Sequence, residues 1–483
     1  MNNKIERWDI FQIRAKGPQE GNPFIDVNFS AYFNNGEKSI EVNGFYDGEG
    51  VYEVRFMPCE QGVWCYETSS NISELQGLTG EFECVEPSEG NHGPVRVRDT
   101  YHFAYEDGTP HYSFGTTCYA WTHQGDKLEE LTLKTLKTAP FNKMRMCVFP
   151  KNYLYNTNDP LYYPFEGTRE EGWDFTRFNP EFFRHFEKRV DNLRMLGIEA
   201  DIILFHPYDN GRWDFDRMGM EVNIRYLRYL IARLSAYRNI WWSMANEYDF
   251  MGSITLENWD TVIKTVAQCD PFNHLRSIHN GGPFYDHNNP LLTHASIQRQ
   301  DIKAVLGWRK QYSKPVVIDE CCYEGNIAYI WGNITEQEMS HRFWEGFLRG
   351  GYVGHGETYV HPKDILWWSK GGELHGKSPE RIAFLKKIIE DVPREYHEPI
   401  DFEPAWQNHS CIGKEGEYYL AYFGSYRPSL HYLQLMKGFK YKIEVIDTWD
   451  MTITPLEGIY EAECTVKLPG KQYVALRIQK VIK

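Results

Sequence analysis

The chain reads as an α/β protein, a (β/α)8 TIM barrel flanked by an N-terminal immunoglobulin-like β-sandwich and a small C-terminal β-sandwich. Three observations predict this. Its 483 residues exceed one ordinary domain and suffice for two or three sizeable cores. The middle of the chain alternates apolar runs with amphipathic helical patterns, whereas both ends hold short runs broken by Gly, Asn and Pro. Eight strand candidates fall between Tyr101 and Asp391, which suits a closed parallel barrel better than an open doubly wound sheet.

In the first domain, 1–95, the runs Phe24–Phe33, Ser39–Tyr46, Val51–Met57, Val63–Thr68 and Gly80–Val85 have sandwich length and spacing. Turn signals at Pro87-Ser-Glu-Gly90 and His92-Gly-Pro94 end it. The barrel, 96–393, takes strands over Tyr112–Tyr119, Lys143–Phe149, Glu199–Phe205, Ile240–Ala245, Leu275–His279, Leu292–Ile297, Pro315–Ile318 and Gly351–His355. Phe182, Phe183, Phe186, Val190 and Leu193 recur at helical spacing and predict a helix over Pro180–Leu196; others are expected over Val222–Tyr237 and Glu336–Arg349. No Gly-rich loop follows the first strand, which disfavours a dinucleotide fold. Tyr418–Tyr422, Lys440–Asp447, Glu461–Leu468 and Tyr473–Ile478 predict the closing sandwich over 394–483.

A net charge of -15 opposes phosphate backbones, so no nucleic-acid partner is expected. No apolar stretch approaches the roughly 20 residues a membrane span needs. Met1–Ala15 intersperses charges and lacks an apolar h-region, which sets the expectation of a cytoplasmic protein. Ten cysteines without a CxxC pair read as reduced, mostly buried thiols. The sequence leaves a homo-oligomer open.

Active sites of such barrels lie at the C-terminal ends of the strands. The candidate strand ends carry Arg145, His206, Asn246-Glu247, His279, His294 or Gln298, Glu320, and His355 with Glu357. This ring is denser than a stability device requires. IWWSMANEYDF (Ile240–Phe250) and KPVVIDECCYE (Lys314–Glu324) each run from an apolar strand to a glutamate, and two carboxyl groups on one rim suggest glycoside hydrolysis.

These residues carry a resemblance. An Asn-Glu pair ending strand four and a Glu ending strand seven are similar to the arrangement in clan A retaining glycoside hydrolases. The stretches GWDFTRFNPEFF, IEADIILFHPYD, WWSMANEYD, HLRSIHN, PVVIDECCYEGN and GGYVGHGETY resemble bacterial proteins with an apiosidase-like catalytic barrel, which often carry small β-sandwiches at both ends. The resemblance covers essentially the whole chain. It implies Glu247 as acid/base, Glu320 as nucleophile, Asn246 as the partner of a sugar 2-hydroxyl, Arg145 as the group that orients and ionises the nucleophile, and net retention. It does not fix the sugar.

The chemistry requires one ionised and one protonated carboxyl about 5–5.5 Å apart, in environments that drive their pKa values apart. Arg145 beside Glu320 would do so by opposite charge. Asp319 should point away from Glu320 on an extended strand and is read as structural. The expected site is therefore Glu247 and Glu320 for catalysis, with Arg145, His206, Asn246, His279, Gln298, His355, Glu357, Trp121 and Tyr208 binding substrate, and no cofactor. An oligosaccharide or glycoside is the expected ligand, with exo action. Two alternatives stand beside this: a carbohydrate-binding barrel that lost catalysis, and a metal-dependent hydrolase using His206, His279, His294 and His355. Against the metal, strand one reads Gly115-Thr-Thr-Cys-Tyr-Ala-Trp121, without the His-x-His usual there. The long aromatic loop Lys151–Trp173 is read either as a wall of the substrate cleft or as a platform against a neighbouring domain or subunit. One or two of Trp121, Trp331, Trp367 and Trp368 are expected to stack on sugar.

Overall fold

The computed structural model describes residues 4–363, 366–402 and 408–481. Eight parallel strands form the central sheet: β1 (Phe114–Thr117), β2 (Lys143–Cys147), β3 (Glu199–Phe205), β4 (Ile240–Ala245), β5 (Leu275–Ser277), β6 (Ala295–Gln298), β7 (Val316–Glu320) and β8 (Tyr352–His355). Their order is β5-β4-β3-β2-β1-β8-β7-β6. A parallel bridge between His279 and Ser296 joins the two outer strands, so the sheet curls into a nearly closed barrel. Every residue of β2, β3, β4 and β7 is buried, as expected of strands covered on both faces.

The expected strands are found within a few residues. The largest shift is β6, which starts at Ala295 rather than Leu292, because Thr293 and His294 belong to the entry loop: Thr293 exchanges hydrogen bonds with Arg276. Three helices form where the apolar spacing placed them, over Pro180–Met195, Met220–Leu234 and Glu336–Leu348. Asn179 and Thr335 cap two of these by accepting from Glu181 N and Glu338 N.

The N-terminal sandwich has one sheet of five strands, in the order Lys4–Glu6, Thr79–Val85, Gly62–Ser70, Phe29–Asn34 and Ser39–Asn43, and one of three, Phe11–Lys16, Val51–Phe56 and Phe45–Tyr46. Stacked rings bind the two sheets, Phe11 on Phe82 at 4.0 Å and Phe33 on Phe56 at 4.1 Å. The run Phe24–Phe33 is only partly a strand: Pro23–Asp26 is a helical turn capped by Asn22. Phe11–Lys16, with strictly alternating burial, went unread in the sequence. A small sheet of Val95–Arg98, His102–Tyr105 and Pro110–His111 sets Phe103 against Trp241, His294 and Tyr352, which plugs the barrel end opposite the rim.

The C-terminal unit pairs Ser410–Lys414, Tyr418–Tyr422, Val474–Lys480, Lys440–Asp447 and Thr452–Pro455 in one sheet, and Leu430–Gln434 with Glu463–Lys467 in a second. It packs on the barrel through Tyr422, whose ring lies 5.4 Å from that of Trp344. Among the described residues no helix is long and apolar enough to cross a membrane.

A buried ion network fastens the first sandwich to the barrel. Arg55 of the sandwich and Arg233 of a barrel helix both bind Glu187, with Arg55 Nη1 3.0 Å and Arg233 Nη2 3.1 Å from its oxygens, and Arg233 reaches Asp47 at 2.9 Å. Burial opposes ionisation of Glu187, but the two guanidinium groups outweigh it and lower its pKa. Glu187→Ala removes the carboxylate the two guanidinium groups share, leaving Arg55 with Glu53 at 3.2 Å and Arg233 with Asp47, and is expected to cost about 3 kcal/mol of stability. Urea titration of the full chain measures this; a loss below about 1 kcal/mol would show that the network is not a fastening.

Candidate active site

The apolar run of β4 delivers Asn246 and Glu247 to the rim, and Glu247 adopts a left-handed backbone with φ 52°. A glutamate held in that region stores strain of about 1 kcal/mol or more, a feature concentrated at functional positions. On β7 the side chains alternate. Asp319 turns into the barrel, where Lys143 lies 2.7 Å from it and also 2.7 Å from Asp201. Glu320 turns to the rim.

Tyr208 donates its hydroxyl to Glu247 Oε2, Asn246 Nδ2 donates to the same oxygen at 3.0 Å, and Gln298 Nε2 donates to Oε1 at 3.2 Å. Glu320 Oε1 accepts from Tyr119 Oη and faces His279 Nε2 at 3.4 Å and Arg145 Nη1 at 3.7 Å. Two relays therefore span the carboxyl groups. One runs through Asn246, whose Oδ1 lies 3.1 Å from Tyr119 Oη, and the other through Gln298, whose Oε1 lies 3.1 Å from His279 Nε2. Ser296 donates to Asp319 at 2.5 Å, which leaves its oxygen to accept from His279 Nδ1 at 3.0 Å. Both ring nitrogens of His279 thus face side-chain oxygens, Nδ1 that of Ser296 and Nε2 those of Gln298 and Glu320.

The environments of the two glutamates differ in the sense the chemistry needs. Burial, reinforced by the charge of Glu320, pushes Glu247 above the ordinary carboxyl value. Burial acts the same way on Glu320 but is outweighed by the hydrogen bond and charge of His279, the charge of Arg145 and the Tyr119 hydroxyl, which hold it well below that value. The two carboxyl groups are thereby driven apart in pKa, Glu247 upward and Glu320 downward.

Of the residues expected to bind substrate, Arg145, Asn246, Tyr208, His279 and Gln298 converge on the two carboxyl groups. Four others are placed differently. His206 uses Nε2 on Phe149 O at 3.1 Å and accepts from Tyr208 N at 3.1 Å through Nδ1, so it fixes the loop that carries Tyr208. Trp121 is fully buried, with Nε1 on Met146 Sδ. His355 pairs with Thr116 at 3.0 Å, and Glu357 accepts from the backbone N–H groups of His375 and Gly376. His294 lies at the plugged end, stacked edge-on against Phe103 and Trp241.

The four histidines do not form a common ligand set. Among the described residues, the acidic groups with ligand-like spacing are Asp126, Glu129 and His185, and Glu324, His355 and Glu357. Arg189 already binds Asp126 and Glu129, both at 2.6 Å. Glu324 accepts from Lys377 N and Ser378 N, as Glu357 does from the two preceding residues, so four consecutive N–H groups satisfy the pair. None of the ten cysteines is in a disulfide.

Sequence reasoning missed Tyr119 and Lys151. Tyr119 lies two residues past β1, where no polar side chain was read. Lys151 opens the aromatic loop; its Nζ lies 3.6 Å from the Tyr119 ring centroid, 4.1 Å from that of Tyr208 and 4.6 Å from that of Tyr153. Within the loop, Tyr153 and Tyr155 pack on Trp368 at 5.5 and 5.6 Å; contact with the N-terminal unit is made just beyond Trp173, by Phe178 on Phe24.

Known proteins give the arrangement a family. A model described as "Apiosidase-like, catalytic domain" matches residues 98–416, and two domains of unknown function, DUF5060 and DUF5605, match 4–71 and 406–479. A crystal structure described as a "putative glycoside hydrolase from Bacteroides vulgatus ATCC 8482" shares 41% identity at a TM-score of 0.95, covering 99% of this chain and 100% of that one. A glycoside hydrolase family 5 structure from the same organism is 15% identical at a TM-score of 0.63, covers 80% and 94% of the two chains, and shows likeness of fold. No curated protein matches the chain. With its barrel matched over most of the chain and both flanking domains in register, this protein belongs to the apiosidase-like catalytic family.

Proposed function

We propose that the protein is a retaining glycoside hydrolase that removes a terminal sugar by double displacement. Family and fold support a glycosidase. The observation that carries the finer reading is the opposed tuning of the two rim glutamates. In this mechanism Glu320 attacks the anomeric carbon and forms a glycosyl ester while Glu247 protonates the leaving oxygen. Having given its proton to the leaving oxygen, Glu247 is a carboxylate, a form favoured once the negative charge of Glu320 is lost in the ester, and it can take a proton from the water that releases the sugar. Asn246 lies against Glu247, where it can meet the 2-hydroxyl.

Recessed carboxyl groups, 6% exposed at Glu247 and 4% at Glu320, support a pocket for a chain end and hence exo action. Ten thiols without a disulfide fit a reducing compartment, and a cytoplasmic location is part of the proposal.

The test is stereochemical. Proton NMR of the first product from any cleaved glycoside is expected to show the substrate's own anomer; the opposite anomer would exclude double displacement. The pH profile gives a second check. Activity needs Glu320 ionised and Glu247 protonated. The acid limb of kcat/KM is therefore expected below the ordinary carboxyl range and the alkaline limb above it. A profile that rises monotonically through the ordinary carboxyl range to alkaline pH would contradict Glu247 as the acid.

A further inference from the structure

Lys151 is the unexplained charge of this site. Its side chain is 1% exposed, yet among the described residues its ammonium has no hydrogen bond and no ion pair. What surrounds it is aromatic: the faces of Tyr119, Tyr208 and Tyr153. Burial lowers its pKa, while the nearby charges of Glu247 and Glu320 act the other way. Cation–π contacts return only about 0.5–2 kcal/mol each, and buried charges are otherwise paired or hydrogen-bonded.

Other charged groups described in the barrel mouth have partners of opposite sign: Lys143 meets Asp201 and Asp319, and Arg145 meets Asp201 at 3.5 Å and Glu320, which also faces the His279 ring. Lys151 has no such carboxylate contact among the described residues. It also stands where a substrate must lie, over the rings of the two tyrosines whose hydroxyls bind Glu320 and Glu247.

The geometry points to Lys151 as the binding point for a carboxylate on the sugar held next to the catalytic glutamates, making the substrate class glycosides of acidic, uronic-acid-type sugars. The inference rests on the glycosidase reading above. A carboxylate on Lys151 supplies the counter-ion that no described residue provides. It also replaces ring faces by a charge-assisted hydrogen bond, the stronger partner for an ammonium. The chain's overall charge of -15 supplies no long-range attraction for an anion, so recognition has to be local, at a desolvated cation of this kind.

The experiment compares two preparations of one material: oligosaccharides from partial hydrolysis of uronic-acid-containing polysaccharides, and the same oligosaccharides after reduction of every carboxylate to a primary alcohol. Released sugar is quantified for the wild-type chain, Lys151→Met and Glu320→Gln. The wild type is expected to favour the acidic set by at least about 30-fold in kcat/KM, the scale of one lost buried charge pair. Lys151→Met is expected to collapse that ratio through KM, with its urea midpoint kept. Wild-type cleavage of the reduced set at an equal or higher rate overturns the inference while leaving a glycosidase, as does a Lys151→Met variant that keeps the preference. Release that Glu320→Gln does not diminish, or no release from either set, defeats the glycosidase reading and this inference with it.

Discussion

Glu320→Gln is expected to abolish turnover, by on the order of 10⁴-fold or more, while leaving the protein folded. The amide keeps the volume of the carboxylate and an oxygen for the Tyr119 hydroxyl, but it cannot form the glycosyl ester. The fold should survive, because the amide keeps the shape of the carboxyl group and Arg145 retains Asp201 at 3.5 Å as a carboxylate partner. The check is residual turnover, alongside the urea midpoint and circular dichroism of the variant. A second variant, Glu320→Ala, opens space for an external nucleophile. With azide it is expected to yield a glycosyl azide of inverted configuration from an activated aryl glycoside. Full activity of Glu320→Gln would end the assignment of the nucleophile.

Glu247→Gln has the next largest expected effect, and its size depends on the leaving group. Poor leaving groups need the proton, and their turnover should fall on the order of 10²–10⁴-fold. A nitrophenolate leaves without help, so ester formation stays fast. Breakdown of the ester, which has lost its general base, then limits the rate. The observable is a burst of nitrophenol followed by slow turnover, with the glycosyl-enzyme seen by mass spectrometry. An equal loss for good and poor leaving groups, without a burst, would remove Glu247 from the acid/base role. Because Tyr208, Asn246 and Gln298 all donate to this carboxyl, the amide substitution also reverses part of their pattern. The leaving-group dependence separates that effect from chemistry, since misplacement alone slows every substrate.

The strands and their order were legible in the sequence because each signal is local. Ile240–Ala245 and Val316–Glu320 are apolar runs ending at polar pairs, and a run of that length buried on both faces specifies a parallel strand whatever surrounds it. The shorter strands were less legible. Ser277 ends β5, whereas the apolar pattern continues to Ile278, and only the neighbouring register stops the pairing there. Phe11–Lys16 alternates in burial, with Gln12, Arg14 and Lys16 outward, but only Phe11 and Ile13 of its inner positions are large and apolar, which leaves a short signal.

The candidate site divides along the same line. Glu247 and Glu320 could be placed on one rim from chain order alone. His206 and Trp121 could not be judged, because a polar or aromatic residue at a strand end looks the same in sequence whether it faces a cleft or turns back onto a backbone carbonyl or a neighbouring sulfur. Tyr119 and Lys151 carried no local signal; their meaning comes from partners distant in the chain.

By itself, then, the sequence determined a barrel with two glutamates delivered to the same rim, since strand period and apolar run length act between neighbours in the chain. The tertiary structure decided which glutamate's pKa rises and which falls, which polar residues face them, and that Lys151 has no counter-ion among the described residues. Those properties arise from burial and from contacts such as Tyr119 with Glu320, 201 residues apart, and no pattern along the chain encodes the electrostatic field that such contacts create.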